Sequence, residues 1–338
     1  MKAAFLKQPM EPLRIEETEI PEPAPDEVLI KVEASGVCHS DLHLANGDWP
    51  RLMKIVKLPL ILGHEVVGRV VKRGDRVSGL DLGDRAGVAW VHWTCGECEV
   101  CKEGLENLCP AQTITGATVD GGYAEYIKAK TSHATKVPEG LSPEEAAPLF
   151  CAGVTVYRAI KNSLIEPGQR VAVFGVGGLG HLAVQIAKAF GAEVTAVDIT
   201  DEKLDLARRH GADHTINSAS TNAVKKVREM GGAHFAIVTA SAKAAYDTAF
   251  RSLRPRGTLV VVGLPAEDLT FNANAMSSGE VRIIASSVGT REDLREVLDL
   301  AARGKVKCEI ETRRLDQINE VFDQMRRAQI TGRLVLTF

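Results

Sequence analysis

The sequence has no surplus of either charge: 41 basic side chains stand against 44 acidic ones in 338 residues, a formal net charge of −3. Nucleic acid or an acidic membrane surface calls for a concentrated basic face, so neither partner is expected. No apolar run is long enough to span a bilayer. The first residues, Met1-Lys-Ala-Ala-Phe-Leu and then Lys7, Gln8 and Pro9, lack the long apolar segment of a secretory signal. There is no internal repeat, low-complexity tract or long linker. A cytoplasmic protein is therefore expected. Thiols stay reduced there, so the seven cysteines point to metal or catalysis rather than disulfides. An apolar content of 45% supports substantial cores, and the length suggests two domains.

What is present is most legible between Val171 and Asp198. Arg170-Val-Ala-Val-Phe174 is an apolar run suited to a buried parallel strand. Gly175-Val-Gly177-Gly178-Leu179-Gly180 follows at once. Leu182, Ala183, Ile186 and Ala187 then recur at helical spacing, and Glu193-Val-Thr-Ala-Val-Asp198 is a second strand ending on an acid. Strand, glycine turn, helix, strand and terminal acid together make a dinucleotide-binding fingerprint. Gly175 permits the tight turn, Gly177 lets backbone approach a pyrophosphate, and Gly180 allows close helix–strand packing. The helix start offers its N–H groups to the phosphates. Asp198 should accept hydrogen bonds from the adenosine ribose and repel a 2′-phosphate, and no arginine follows it, so NAD is expected over NADP. Lys203 is near enough in sequence to touch the ribose; the alternative is a solvated helix lysine.

Residues 1 to about 150 look all-β, with strands expected at 27–33, 66–71, 85–90 and 123–127. Ser142, Pro143 and Glu145 form a capping signature that opens a helix. Beyond Cys151 strands and helices alternate, which implies a doubly wound parallel sheet. A final strand at 332–338 returns the chain to the first domain. The fold expected is α/β: a Rossmann-type doubly wound parallel sheet domain at 152–287, plus a mostly β, barrel-like domain built from 1–151 and 288–338.

Cys95, Cys98, Cys101 and Cys109 follow the pattern C-x2-C-x2-C-x7-C. Four thiolates in one loop can close a tetrahedral shell around a structural zinc. An iron–sulfur cluster, a nucleic-acid-binding zinc ribbon and plain reduced thiols are the alternatives; the loop's many glutamates count against nucleic acid. Cys38, His64 and Cys151 make a Cys2His set, the kind that leaves a fourth position for water or substrate. Taken singly, each is more often a small buried hydrophobe or an ordinary histidine.

Their joint pattern resembles the zinc-dependent medium-chain alcohol dehydrogenases. The likeness covers essentially the whole chain. It is carried by Cys38-His-Ser-Asp-Leu-His43, Gly63-His-Glu-x-x-Gly68, the four-cysteine loop, Cys151-Ala-Gly-Val-Thr155, the glycine turn and Val288-Gly-Thr-Arg291, and is strongest to the bacterial and yeast branch acting on small alcohols. The resemblance implies a GroES-like catalytic domain, two zinc ions per chain, NAD, a small alcohol or aldehyde substrate and a homotetramer. It implies that Cys38, His64 and Cys151 hold catalytic zinc with Glu65 beside it. Asp41 would orient His64, and Ser40 and His43 would relay the alcohol's proton to solvent. It further implies that His39 and Arg333 face the cofactor pyrophosphate, and that Thr155 lies near the nicotinamide. Backbone around Val262, Ser286 and Val288 would meet the carboxamide, and Trp49 and Trp90 would wall the substrate pocket. For Ser40 and His43 the alternative is turn capping and surface placement; for Asp41 an ordinary turn acid; for Arg333 a solvated strand position; for the tryptophans an ordinary core. Cys308 has no assigned role.

Overall fold

The computed structural model describes residues 1–265 and 267–338 and divides the chain into two compact units. The first comprises Met1–Ala152, Thr290–Ala302 and Cys308–Phe338; the second comprises Gly153–Gly289 and Arg303–Lys307. The boundaries expected at 151/152 and 287/288 lie one and two residues further on, and 303–307, expected in the first unit, belongs to the second. There the backbone and carbonyl of Lys307 bond the Gln185 side chain at 2.8 Å.

The first unit is built on a mostly antiparallel sheet of seven strands. Its order is Ala134–Lys136, Arg85–Val88, Glu65–Arg73, Glu27–Gly36, Arg333–Thr337 and Ile310–Arg314, with Tyr126–Lys130 also paired to Glu27–Gly36. Alternation along Glu27–Gly36 and Glu65–Arg73 sends Val28, Ile30, Val32, Val66 and Val70 into one apolar cluster with Ile127 and Ala129. A small sheet of Arg14–Glu17, Lys2–Leu6 and Leu60–Ile61 frames a second cluster, which contains Leu44, Leu62, Tyr123 and Phe322.

Two expectations are corrected. The unit is not all-β: His39–Asn46 is a helix. The Cys38 amide donates to Asp41 Oδ2 at 3.0 Å, Leu42, Leu44 and Ala45 are buried, and Gly47 closes the helix in the left-handed region. The strand expected at 123–127 lies at Tyr126–Lys130. Tyr123 is instead held by its amide to the Leu62 carbonyl, and its ring is fully buried in the second cluster.

The second unit is a six-stranded parallel sheet in the order His214–Asn217, Glu193–Asp198, Arg170–Phe174, Ala233–Val238, Leu253–Val261 and Arg282–Ala285. The strand order reverses beside Arg170–Phe174, and the glycine turn leaves from that strand's carboxyl end. This is where doubly wound sheets bind ligands. No helix among the described residues is long and apolar enough to cross a membrane.

Candidate active site and metal centres

Cys38 ends the run from strand Glu27–Gly36, His64 immediately precedes strand Glu65–Arg73, and Cys151 follows the short turn Ala147–Phe150. All three are buried, and their ligand atoms lie with a Glu65 oxygen inside 4.8 Å of one another. The Cys38 and Cys151 sulfurs are 3.8 Å apart. Zinc–thiolate bonds of about 2.3 Å in a tetrahedral shell place two sulfurs about 3.8 Å apart, so the pair has the spacing of two ligands on one zinc.

The strongest indication comes from His64. Its Nδ1 lies 2.9 Å from Asp41 Oδ1. A carboxylate only accepts, so Nδ1 carries the proton and Nε2 is left as a lone pair. That Nε2 is buried with no hydrogen-bond partner. A buried imidazole nitrogen without a partner is costly unless a ligand meets it. Asp41 accepts from three other groups as well: the Cys38 amide at 3.0 Å, the Gly63 amide at 3.2 Å and the Tyr123 hydroxyl at 2.7 Å. Burial pulls His64 toward the neutral form, and Asp41 more than offsets it, leaving the imidazole more basic than usual. The Cys151 thiol holds the Cys38 thiol well below its ordinary range, and Cys38 pushes Cys151 up in turn. One thiolate is therefore already favoured.

Glu65 is buried beside this set. Its Oε1 pairs with the Arg333 guanidinium and its Oε2 has no partner. Burial pushes its carboxyl up to about 7, with Arg333 pulling the other way. Arg333 is thus no solvated strand arginine: it is buried against Glu65. Cys308 is buried too, and desolvation pushes its thiol up and favours the protonated form.

Four sulfurs gather in the second group. Cys95 and Cys101 are 3.9 Å apart, Cys98 and Cys109 3.9 Å, and Cys95 and Cys109 3.5 Å. These spacings again suit a single zinc and are too tight to enclose an iron–sulfur cluster. Amides of Glu97 and Cys98 bring the Cys95 thiol down to about 6, and desolvation pushes Cys101 up to about 12.

In the second unit Gly175 has φ +90°, and a Cβ on Gly180 would stand 1.9 Å from the Gly175 carbonyl oxygen. A Cβ on Gly177 would meet nothing within 4 Å, so this glycine faces open space, as a phosphate cradle requires. Asp198 Oδ2 accepts from the Val176 amide at 2.6 Å, and Oδ1 from the Ile199 amide at 2.7 Å. Oδ1 also accepts from the Thr200 amide and hydroxyl, each at 3.3 Å, so the acid ties the glycine turn to the end of its own strand. Gly178 and Leu179 lead into helix Gly180–Ala189, and Lys203 lies half-exposed on helix Asp201–Arg209.

The family model described as an alcohol dehydrogenase GroES-like domain matches residues 24–139, and the one described as a zinc-binding dehydrogenase matches 178–303. An alcohol dehydrogenase of Geobacillus stearothermophilus is 49% identical over 337 residues, 99% of both chains. The crystal structure of the alcohol dehydrogenase from the archaeon Aeropyrum pernix aligns over 100% of both chains with a TM-score of 0.92 and 38% identity. An acetophenone reductase from Geotrichum candidum, solved in complex with NAD, aligns over 100% of this chain and 97% of its own, with a TM-score of 0.90 and 36% identity. The chain belongs to the zinc-dependent medium-chain alcohol dehydrogenases.

In this dehydrogenase Ser40 and His43 share one helix, three residues apart and both half-buried; His39 at its start is exposed. The tryptophans are partly buried against the cluster that holds Leu44 and Tyr123, and they also reach toward the candidate site. The Trp90 ring meets His64 edge-on with centroids 4.9 Å apart, Trp49 meets Trp90 at 6.3 Å, and His43 lies 5.0 Å from Trp49. Four rings thus run from the candidate zinc ligand to the candidate relay. Thr155 is half-buried on helix Ala152–Asn162. Val262 is buried, the Ser286 hydroxyl is buried without a partner, and Val288 has φ +39°. A β-branched residue in the left-handed region is strained, and such strain gathers at functional sites. Sequence reasoning missed Tyr123. Its only signal is the Gly121-Gly122 pair before it, which says nothing of an acid 82 residues away.

Proposed function

We propose that this enzyme oxidises small primary alcohols, and some secondary ones, to aldehydes and ketones with NAD, reversibly. One zinc would be held by Cys38, His64 and Cys151, and a second by Cys95, Cys98, Cys101 and Cys109. The observation that carries this reading is the buried His64 Nε2, oriented by Asp41 and left without a partner. Zinc held there supplies Lewis acidity to an alcohol or carbonyl oxygen, and NAD supplies the hydride acceptor.

The chain's own residues do the rest. Asp41 keeps the imidazole in the ligating tautomer. The Ser40 hydroxyl takes the alcohol's proton, and His43, one turn along, passes it to solvent. Trp49 and Trp90 give an apolar wall suited to a short chain and hostile to a bulky one. Arg333 neutralises Glu65 beside the ligands. Backbone of Gly177–Leu179 meets the pyrophosphate, with His39 adding positive charge. Asp198 favours NAD through its charge, which repels a 2′-phosphate, with Lys203 within sequence reach of the ribose. Thr155, Val262, Ser286 and Val288 take the nicotinamide end. Family likeness supports a homotetramer.

The test is NADH formation from ethanol and from cyclohexanol, with NAD or NADP, before and after chelation, alongside zinc quantification. Activity with ethanol and NAD that a chelator abolishes and zinc restores supports the reading. Protein carrying two zinc ions that reduces NAD with no alcohol of a broad panel overturns it.

A further inference from the structure

His43 is held more firmly than a surface relay needs. Helix His39–Asn46 stops at Gly47, with φ 74°, and the turn brings the Asp48 amide to the His43 carbonyl at 2.9 Å. The Asp48 carboxylate then reaches the imidazole of the same residue, with Oδ2 2.8 Å from Nδ1. Asn46 Nδ2 donates to that oxygen at 3.4 Å, and Arg326 donates to Asn46 Oδ1 at 3.2 Å. Trp49 follows directly, its ring 5.0 Å from the imidazole and tilted by 34°. A carboxylate grips one edge of the imidazole and an indole lies along a face. Asp48 accepts only, so Nδ1 carries the proton and Nε2 is the basic nitrogen. The two side chains are 32% and 44% exposed. A pair this exposed adds little to stability, so its worth lies elsewhere.

We propose that Asp48 is a positioning residue for His43 and the last protein station on the proton's way out. The proposal rests on the reading of His43 as the relay. When Nε2 takes up the proton that began on the alcohol, Nδ1 gives its own to the Asp48 carboxylate, which releases it to water. The ring returns to its starting tautomer when water reprotonates Nδ1 through Asp48 and a second water takes the proton from Nε2, so one proton enters from the alcohol and one net proton leaves to solvent per turnover. The titratable and charged groups around the imidazole are Asp48, His39 on its own helix, and Arg326 with Asp323 from helix Ile318–Arg326.

The test compares wild type with Asp48→Asn, Asp48→Glu and His43→Ala as zinc-loaded enzymes. The readouts are kcat and KM for ethanol against pH, and the nitrogen NMR shifts of protein labelled at its histidine rings. The His43 signal is assigned by its loss in His43→Ala. Asp48→Asn is expected to lose about tenfold in kcat near neutral pH with KM little changed, the loss closing at alkaline pH where hydroxide accepts the proton directly. Its His43 should also leave the Nδ1-protonated tautomer, and Asp48→Glu should restore both properties. An unchanged pH profile in Asp48→Asn overturns the proposal, even with an altered tautomer. If His43→Ala reshapes the profile and Asp48→Asn does not, Asp48 alone is wrong; if neither does, the relay reading falls with it.

Discussion

One carboxylate, Asp41, gathers donors from three separate stretches of chain: Cys38 before it, Gly63 and His64 beyond it, and Tyr123 far downstream. Each bond is ordinary, but all four acceptor sites on the acid are in use and none is exposed. Asp41→Asn replaces one acceptor oxygen with a donor, so the amide must present an N–H to a group that also donates. Zinc affinity of the catalytic set should fall about 10- to 100-fold. Chelator competition reads this directly, and a competition curve matching wild type would count against Asp41 as the orienting group. The ligands themselves were legible because sulfur and imidazole at fixed spacings have few other uses. Tyr123 and the Glu65–Arg333 pair were not, since they depend on approach across 82 and 268 residues. Spacing in sequence carries no record of such contacts.

Among the elements, the cysteine loop is tied down at a point its ligands do not reveal. Glu106, between Cys101 and Cys109, accepts from the Arg291 amide at 3.0 Å and from Arg291 Nε at 3.2 Å. Arg291 also donates to the Ser132 carbonyl at 2.8 Å. Burial works against the Glu106 carboxylate, but these bonds prevail and hold it below the usual range. Glu106→Ala leaves the Arg291 donors without their acceptor and should cost about 1–3 kcal/mol. Thermal unfolding measures the loss, and faster reaction of the loop thiols with a disulfide reagent localises it. Unchanged values for both would show the anchor to be incidental. Helix Arg291–Ala302 and its Thr290–Asp293 cap were readable from residue type. Its docking on the cysteine loop was not, and neither was helix His39–Asn46, whose apolar positions are interleaved with residues kept for chemistry.

At the scale of the whole molecule, two buried neutral histidines weigh against the folded state in acid. Burial depresses both His92 and His133 to about 4. Unfolded, each takes a proton at about pH 6.5. Folding therefore forgoes that proton between the two values. The contribution of these two side chains is complete above about pH 6.5 and is lost as the pH drops toward 4, while Glu65, raised to about 7, works in the opposite direction. Calorimetry across this window should show the midpoint declining, with a shallower decline in His92→Phe; a flat midpoint, or equal slopes, would contradict it. The parallel sheet was the most legible part of the molecule because a buried strand, a glycine turn and an amphipathic helix each leave a pattern within thirty residues. The mixed sheet was less so: the closing strand and its return to the first unit are readable, but its insertion between Glu27–Gly36 and Ile310–Arg314 from the far end of the chain is not. That threading has a consequence for biosynthesis. The guanidinium that neutralises Glu65 leaves the ribosome 268 residues after it. Until then a growing chain lacks the strand that joins Glu27–Gly36 to Ile310–Arg314, and its Glu65 carboxylate has no counter-ion.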